Sequence, residues 1–295
     1  MKEDFYGVLP PVVTPFTSDG KNIAEDNLRK VMRHVVSNGC TGVFVGGSQG
    51  EFFSMSFDER VRTYEIAADE AGGKYPVIAG TAAITTDETV ALSKAAAKAG
   101  LSSVSVINPY FITLNEDELF DHYRSLAESV DIPVFLYNNP GRTGSVIPVS
   151  VIIRLSTIEN IVGMKDSSGD LTYVNSILDN TENFSVFCGR DTCIYNELTS
   201  GAVGAVAATA NVAPALVSSI YNLVQEGDLE GARKAQAQLA PLRDAFSLGS
   251  FPVVVKEALE LIGVKAGAAR LPIQPMTDSN RAKLKSILET MGLTA

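Results

Sequence analysis

A single lysine follows an apolar stretch in the middle of the chain. Residues 161–164, Ile-Val-Gly-Met, are typical of the end of a buried parallel strand, and the loop-forming residues 166–169 come directly after Lys165. An amine at such a position is poorly hydrated, which disfavours its ammonium form and leaves a lone pair that can attack a carbonyl carbon. A solvated loop lysine is the alternative, because surface lysines outnumber buried ones. Lys165 is therefore a candidate nucleophile.

A tyrosine ends the strand pattern that precedes the lysine strand. Residues 133–137 are apolar and finish at Tyr137, and Arg142 follows after a proline and a glycine. A phenol can relay protons, and a guanidinium can bind a carboxylate through two parallel hydrogen bonds. Neighbouring strands lie about 4.8 Å apart, so Tyr137 and Lys165 can touch if their strands are adjacent.

A glycine-rich turn follows an earlier strand pattern. The small residues of Gly46-Gly47-Ser48-Gln49-Gly50-Glu51 allow backbone N–H groups to converge on an anion such as a carboxylate. A tight turn without a ligand is the alternative. Two other strand ends supply the remaining candidates. We expect Tyr110, in the segment Asn108-Pro109-Tyr110-Phe111, and Val206, in the strand pattern 204–207, to contact substrate.

The elements that must position these groups repeat along the chain. Eight strand patterns, each followed by a helical pattern, run from Val8 to Pro214 without a linker. Strands that are apolar on both faces and alternate with helices favour an α/β fold, a closed (β/α)₈ TIM barrel. An open doubly wound sheet is the rival, but no G-x-G-x-x-G turn follows an early strand. Further helical patterns follow, so we expect a barrel domain at 1–226 and a C-terminal helical domain at 227–295.

Composition limits the classes of function. Hydrophobic residues make up 45% of the chain and charged residues 20%, which is an ordinary globular balance. A net charge of −10 argues against nucleic-acid binding. The three cysteines (Cys40, Cys188, Cys193) lack metal spacing, so we expect no metal site. No leader-like segment stands at Met1–Tyr6 and no apolar run is long enough to span a membrane, which predicts a cytoplasmic protein.

Several motifs in the same order resemble the dihydrodipicolinate synthase / N-acetylneuraminate lyase family of pyruvate-dependent class I aldolases. The resemblance covers essentially the whole chain and is carried by Gly47-Ser48-Gln49-Gly50-Glu51, Tyr137-Asn138-Asn139-Pro140 with Arg142-Thr143-Gly144, Gly163-Met164-Lys165-Asp166-Ser167-Ser168 and Ala210-Asn211-Val212-Ala213-Pro214. It implies a TIM barrel with a C-terminal helical domain, usually a homotetramer built as a dimer of dimers. It also implies small-molecule substrates, with neither a metal nor a nucleotide cofactor.

The resemblance also implies roles for individual residues. Lys165 would form a Schiff base with pyruvate, and Tyr137 would move protons as this Schiff base forms and breaks. The Ser48 hydroxyl and the backbone amides of Ser48 and Gln49 would hold the pyruvate carboxylate. Many dihydrodipicolinate synthases carry two threonines after the glycine. Ser48 keeps the hydroxyl of the first, so it would also be a catalytic residue of the proton relay, whereas Gln49 replaces the second by a bulkier amide. Phe111 stands where those enzymes offer a neighbouring subunit's tyrosine, and it cannot carry a proton.

Arg142 favours dihydrodipicolinate synthase, because those enzymes use this arginine for the carboxylate of aspartate semialdehyde, whereas sialic-acid lyases generally lack it. The alternative is an aldolase or dehydratase of 2-keto-3-deoxy sugar acids in the same family. A non-catalytic barrel that binds a keto acid is a further alternative, supported only by Phe111. A nucleotide-dependent oxidoreductase would need the dinucleotide-binding turn that the chain lacks.

Overall fold

The chain folds as a parallel β-barrel surrounded by helices, in a computed structural model that describes residues 5–294. The hydrogen-bonded order of the strands is β1-β8-β7-β6-β5-β4-β3-β2, and a parallel bridge between Pro11 and Phe44 joins the two ends. The predicted TIM barrel is confirmed. Part of the stretch Met1–Tyr6, where we expect no leader, lies outside the described residues. The strands are β1 (Gly7–Val8), β2 (Val43–Val45), β3 (Val77–Gly80), β4 (Ser103–Ile107), β5 (Val134–Asn138), β6 (Ile161–Asp166), β7 (Ser185–Cys188) and β8 (Gly204–Ala205).

A helix follows each strand, and β1 is short. The prolines at 10, 11 and 15 have no N–H to donate, so the regular strand ends after Val8, and Pro11 forms only an isolated bridge with Phe44. A single-turn helix, α5, was not predicted. The helices are α1 (Glu25–Ser37), α2 (Phe57–Ala71), α3 (Thr86–Lys98), α4 (Glu116–Ala127), α5 (Pro140–Thr143), α6 (Val149–Leu155), α7 (Leu171–Asn180), α8 (Ile194–Ser200), α9 (Pro214–Glu226), α10 (Leu229–Asp244), α11 (Val253–Leu261) and α12 (Asp278–Thr290).

Side-chain caps explain why several helices begin where they do. Ser56 accepts a hydrogen bond from the Glu59 amide while the Glu59 carboxylate accepts one from the Ser56 amide, and Asn115 and Glu118 repeat this capping box before α4. Each box satisfies N–H groups that a helix cannot pair internally. The loop after β2 therefore ends at Ser56 and the loop after β4 at Asn115, where these caps begin the next helix.

The barrel interior is a small, separate apolar cluster. It consists of side chains from several strands, and a larger core lies between the sheet and the helices. Gly163 keeps space in this interior, because an added Cβ would overlap the Ser185 carbonyl oxygen. The interior cluster contains Phe5, Leu9, Phe44, Ile78, Phe135, Val162, Phe187 and Val206.

The helices after α9 pack over one side of the barrel mouth. Helix α10 contacts α9, and the segment after α11 returns to the barrel, where the Arg270 guanidinium donates to Glu59 and to the Ser54 carbonyl. Helix α9 ends at Glu226 and α10 begins at Leu229, and the division into domains 1–226 and 227–295 stays a prediction. No helix within residues 5–294 is both long and apolar enough to cross a membrane.

Helix α8 places an unpaired carboxyl group in the core. Glu197 is buried, and neither of its oxygens has a hydrogen-bond partner among the described residues. Burial raises the pKa of Glu197 to about 8; the charge of Asp166 adds to the shift and the Cys188 thiol opposes it. Glu197 is consequently held in its protonated form at neutral pH.

We expect this carboxyl group to make stability fall as pH rises. The unfolded Glu197 loses its proton near pH 4.5, whereas the folded one keeps it to about pH 8. Between these values the folded state binds more protons, so the free energy of unfolding falls by up to about 1.4 kcal/mol per pH unit. Urea unfolding across this range should show that slope, and Glu197→Gln should flatten it. The exposed Glu159→Gln is the control, and an unchanged slope in Glu197→Gln would refute the assignment.

Candidate active site

Lys165 and Tyr137 stand side by side on adjacent strands. They are register partners in the β5–β6 pair, and the lysine Nζ lies 4.2 Å from the centroid of the Tyr137 ring. The same Nζ lies 5.3 Å from the centroid of the Phe44 ring, which belongs to the barrel interior. Lys165 is only 7% exposed and Tyr137 only 5%. The amine is therefore largely removed from water, as its sequence position suggested.

The hydroxyl of Tyr137 lies in a polar setting within this apolar surrounding. The Asn139 amide donates to the phenol oxygen at 2.9 Å. Burial alone raises the pKa of the phenol, but the charge of Lys165 and hydrogen bonds with Asn139, Ser167 and Lys165 outweigh it and hold the pKa of Tyr137 below its ordinary value. A phenol that loses its proton more readily is better suited to transfer protons beside the amine.

These two residues line a cavity of about 290 Å³. Ser48, Gln49, Arg142 and Val206 line it as well, so six of the residues selected from the sequence meet around one space. Tyr137 and Ser48 also line a second, much smaller cavity of about 10 Å³. Gly47 lines this smaller cavity and not the larger one.

The aromatic residues after β4 occupy a different place. Tyr110 is not part of the cavity lining, and its ring packs at 6.0 Å from the Phe52 ring in an edge-on arrangement. Phe111 is 94% exposed, so its ring does not reach the cavity within this chain. Tyr110 therefore lies outside the lining of the chain's own cavity, and its contact with substrate stays a prediction.

The turn after β2 brings Ser48 and Gln49 to the cavity wall. Gly46 has a φ of +63°, which favours glycine, and the amides of Gly50 and Glu51 donate to the carbonyls of Gly47 and Ser48. Gln49 is only 2% exposed, and neither atom of its side-chain amide has a partner among the described residues.

The structure adds cavity residues that the sequence did not single out. Gly189, Arg190 and Asp191 directly follow β7, so the rule that collects polar residues after strands would have found them. Arg243 and Phe251 come from the helical region after the barrel, and no local pattern indicates their position. The remaining additions are Pro11, Asn139, Gly141, Ser167, Ala208 and Phe246.

Guanidinium groups make the cavity mouth cationic. Arg142, Arg190 and Arg243 line it, and no carboxylate of residues 5–294 lies within 4.0 Å of any of them. Arg142 stacks on Phe251, with 4.1 Å between the guanidinium carbon and the ring centroid. In a chain of net charge −10, this local excess of positive charge attracts an anionic substrate.

Comparison with known proteins agrees with this geometry. The model of the dihydrodipicolinate synthetase family matches residues 4–291, almost the whole chain. The chain belongs to this family. A 4-hydroxy-tetrahydrodipicolinate synthase of Methanothrix thermoacetophila is 40% identical over 290 residues, covering 98% of this chain and 97% of the relative. An uncharacterized DapA-like lyase of Halobacterium salinarum is 38% identical over 98% of this chain and 94% of its own.

Solved structures of the family have the same fold. A dihydrodipicolinate synthase of Bacillus anthracis superposes with a TM-score of 0.94 at 32% identity, covering 97% of this chain and 98% of that one. YagE, a prophage protein of the same family from E. coli solved in complex with pyruvate, has a TM-score of 0.94 at 31% identity over 98% and 99% of the two chains. The chain is accordingly an enzyme, a lyase of this family.

We expect Gly189→Ala to disable the lysine without unfolding the barrel. An added Cβ would overlap the Ser167 hydroxyl oxygen and lie 2.7 Å from the Asp166 carbonyl oxygen and 2.8 Å from Lys165 Cε, so the end of β6 that carries the amine must shift. Misplacement of a reacting group by about 1 Å can cost about 10²-fold in rate, and the rate of imine formation should fall on that scale.

Gly141→Ala is the matched control, since Gly141 lines the same cavity but its added Cβ would meet nothing nearer than 3.7 Å. Rapid-mixing measurement of imine formation checks both variants. Equal rates in the two would show that Gly189 does not constrain Lys165.

Proposed function

We propose that the protein is a 4-hydroxy-tetrahydrodipicolinate synthase, which condenses pyruvate with aspartate semialdehyde through an imine on Lys165. The observation that carries this proposal is the buried amine in contact with the Tyr137 ring, in one cavity with the Ser48–Gln49 turn and Arg142. Each group matches a requirement of the reaction: a nucleophile, a proton relay and two positions for carboxylates.

The first half of the reaction uses Lys165 and Tyr137. The neutral Nζ attacks C2 of pyruvate, the carbonyl oxygen takes up protons delivered through Tyr137, and it leaves as water when the C=N bond forms. The Ser48 hydroxyl and the Ser48 and Gln49 amides hold the pyruvate carboxylate. The imine is protonated on nitrogen, and Tyr137 then accepts a proton from C3 to leave the enamine.

The second half joins the two substrates. The enamine C3 attacks the aldehyde carbon of aspartate semialdehyde, whose oxygen takes up a proton, while Arg142 binds its carboxylate. Attack of the semialdehyde amine on C2 then releases Lys165 and closes the ring. None of these steps calls for a metal or a nucleotide, and we propose that the enzyme uses neither. Residues 5–294 also hold no group of three or more His, Cys, Asp and Glu side chains suited to a metal ion.

Specific observations favour a second candidate, an aldolase or dehydratase of 2-keto-3-deoxy sugar acids. Arg190 and Arg243 line the cavity together with Arg142 and offer further N–H donors, which suit the hydroxyl oxygens of a sugar acid. An assay of the condensation of pyruvate with aspartate semialdehyde, run beside an assay of 2-keto-3-deoxygluconate cleavage, separates the two candidates.

The homotetramer and the cytoplasmic location stay predictions.

We expect Lys165→Arg to abolish turnover while the barrel remains folded, because a guanidinium with a pKa above about 12 supplies no free amine. Incubation with pyruvate and sodium borohydride should add one reduced pyruvate to the wild-type protein at Lys165 and none to the variant. Intact mass and peptide mapping check this. An unmodified wild-type protein would refute the imine mechanism.

We expect Arg142→Ala to weaken the use of the second substrate alone. Loss of a charge-assisted pair costs about 1.5 to 3 kcal/mol, or roughly 10- to 150-fold in kcat/KM for aspartate semialdehyde. Pyruvate trapping at Lys165 should hardly change. Equal losses in both steps would mean that Arg142 supports the whole site, and no loss would remove it from the binding pocket.

A further inference from the structure

A buried ion pair connects the pyruvate-binding turn to the helices after the barrel. Lys256 Nζ, on α11, lies 2.5 Å from Glu51 Oε1, and the two side chains are 1% and 0% exposed. Glu51 ends the turn that contains Ser48 and Gln49. Two residues that are distant in the sequence therefore meet directly behind the turn that is proposed to hold the pyruvate carboxylate.

Glu51 is tied to the turn through its backbone as well. Its amide donates to the Ser48 carbonyl at 3.1 Å, and its φ of +58° is uncommon for a residue with a side chain. Gly50, the preceding residue, is held from the barrel side, because its carbonyl accepts from the Thr14 hydroxyl at 2.7 Å. Any shift of Glu51 is thus transmitted to Ser48 through the hydrogen bond between their backbones.

The carboxylate has little freedom to move. Its second oxygen accepts from the Arg270 amide at 3.0 Å. Lys256 is fixed in turn, since its ammonium donates to the Ala268 carbonyl at 2.7 Å and lies 4.6 Å from the Phe16 ring centroid. A buried charge needs such partners, which makes the pair stiff.

Helix α11 also begins at the other side of the cavity. Phe251, two residues before α11, lines the cavity and stacks on Arg142. The helix and its leading residue therefore support two parts of the site: the turn at Ser48 through Lys256 and Glu51, and the Arg142 guanidinium through Phe251. The two supports are separate contacts, so they can be removed one at a time.

We propose that Lys256 is a positioning residue for the pyruvate subsite and that it acts through Glu51. It touches neither substrate, and its function is to hold the Ser48–Gln49 turn at the distance from Lys165 that pyruvate requires. This inference rests on the proposed pyruvate imine at Lys165. The expected signature is a higher KM for pyruvate with little change in kcat.

The main test removes both charges together. Glu51→Gln/Lys256→Met leaves no unpaired buried charge, which spares the fold the large cost of breaking only one side of the pair. The KM for pyruvate, and the pyruvate concentration that half-saturates borohydride trapping, should rise roughly 10- to 150-fold, the range that loss of one hydrogen bond to a charged group produces. The KM for aspartate semialdehyde and the kcat at saturating pyruvate should stay close to wild type.

Two variants on the same segment provide controls. Glu257→Gln breaks the ion pair between Glu257 and Arg281, which measures 2.9 Å and lies one residue from Lys256, and it should change neither KM. Phe251→Leu removes the ring under Arg142 and should raise the KM for aspartate semialdehyde alone. If the Phe251 variant raises only the KM for aspartate semialdehyde and the Lys256 variant raises only the KM for pyruvate, each residue positions its own part of the site. A general loosening of α11 would raise both KM values in both variants.

The outcomes are distinguishable from failure of the proposed function. If the wild-type protein traps no pyruvate, the imine mechanism fails first. If it traps pyruvate and the double variant keeps the wild-type KM, or loses kcat without a change in KM, Lys256 has only a structural role and the inference is overturned. Since KM does not depend on the amount of folded enzyme, a poorly folding variant still gives the readout. Glu51→Asp, which shortens the carboxylate arm, is the milder second variant and should shift KM in the same direction.

Discussion

Placing an amine in an apolar barrel is the constraint on which this site depends. Lys165 lies above the ring of Phe44 and beside the ring of Tyr137, at the top of an interior filled by apolar side chains. The side chain is shielded from water there and contacts the faces of two rings. Burial alone would raise the pKa of the Tyr137 phenol, but the charge of Lys165 and the hydrogen bonds around the phenol hold this pKa below its ordinary value.

Backbone space around the lysine is part of the same constraint. Gly163 and Gly189 occur where a Cβ would overlap a neighbouring carbonyl or hydroxyl oxygen, so that β6 and β7 can approach closely. Asp166 fixes the exit of the strand by accepting from Asn138 at 2.7 Å and from the Ser168 hydroxyl at 2.6 Å. The lysine therefore has a defined position before any substrate arrives, and pre-organisation of this kind lowers the cost of reaching a reactive geometry.

Charge is distributed unevenly between the surface and the site. The chain carries a net charge of −10, yet Arg142, Arg190 and Arg243 line one cavity without a carboxylate partner within residues 5–294. Elsewhere arginines pair readily, as Arg33 does with Glu70 and Arg270 with Glu59. Cations that are left unpaired beside a nucleophile serve recognition of anions more than stability, because pairing them would cancel the field that attracts substrate.

Local patterns in the sequence determined the barrel and the half of the site that lies at strand ends. Alternating strand and helix signals, and polar residues such as Tyr137, Lys165 and Ser48 immediately after apolar runs, depend on short-range regularities that survive without coordinates. Arg243 and Phe251 reach the cavity, and Lys256 reaches Glu51 behind the turn, only because long-range packing brings α10, α11 and the residues between them onto the barrel. Tertiary structure alone decided three features: the burial of Lys165, the pairing of Lys256 with Glu51, and the position of Tyr110 outside the cavity. Each of them depends on neighbours that are far away in the chain.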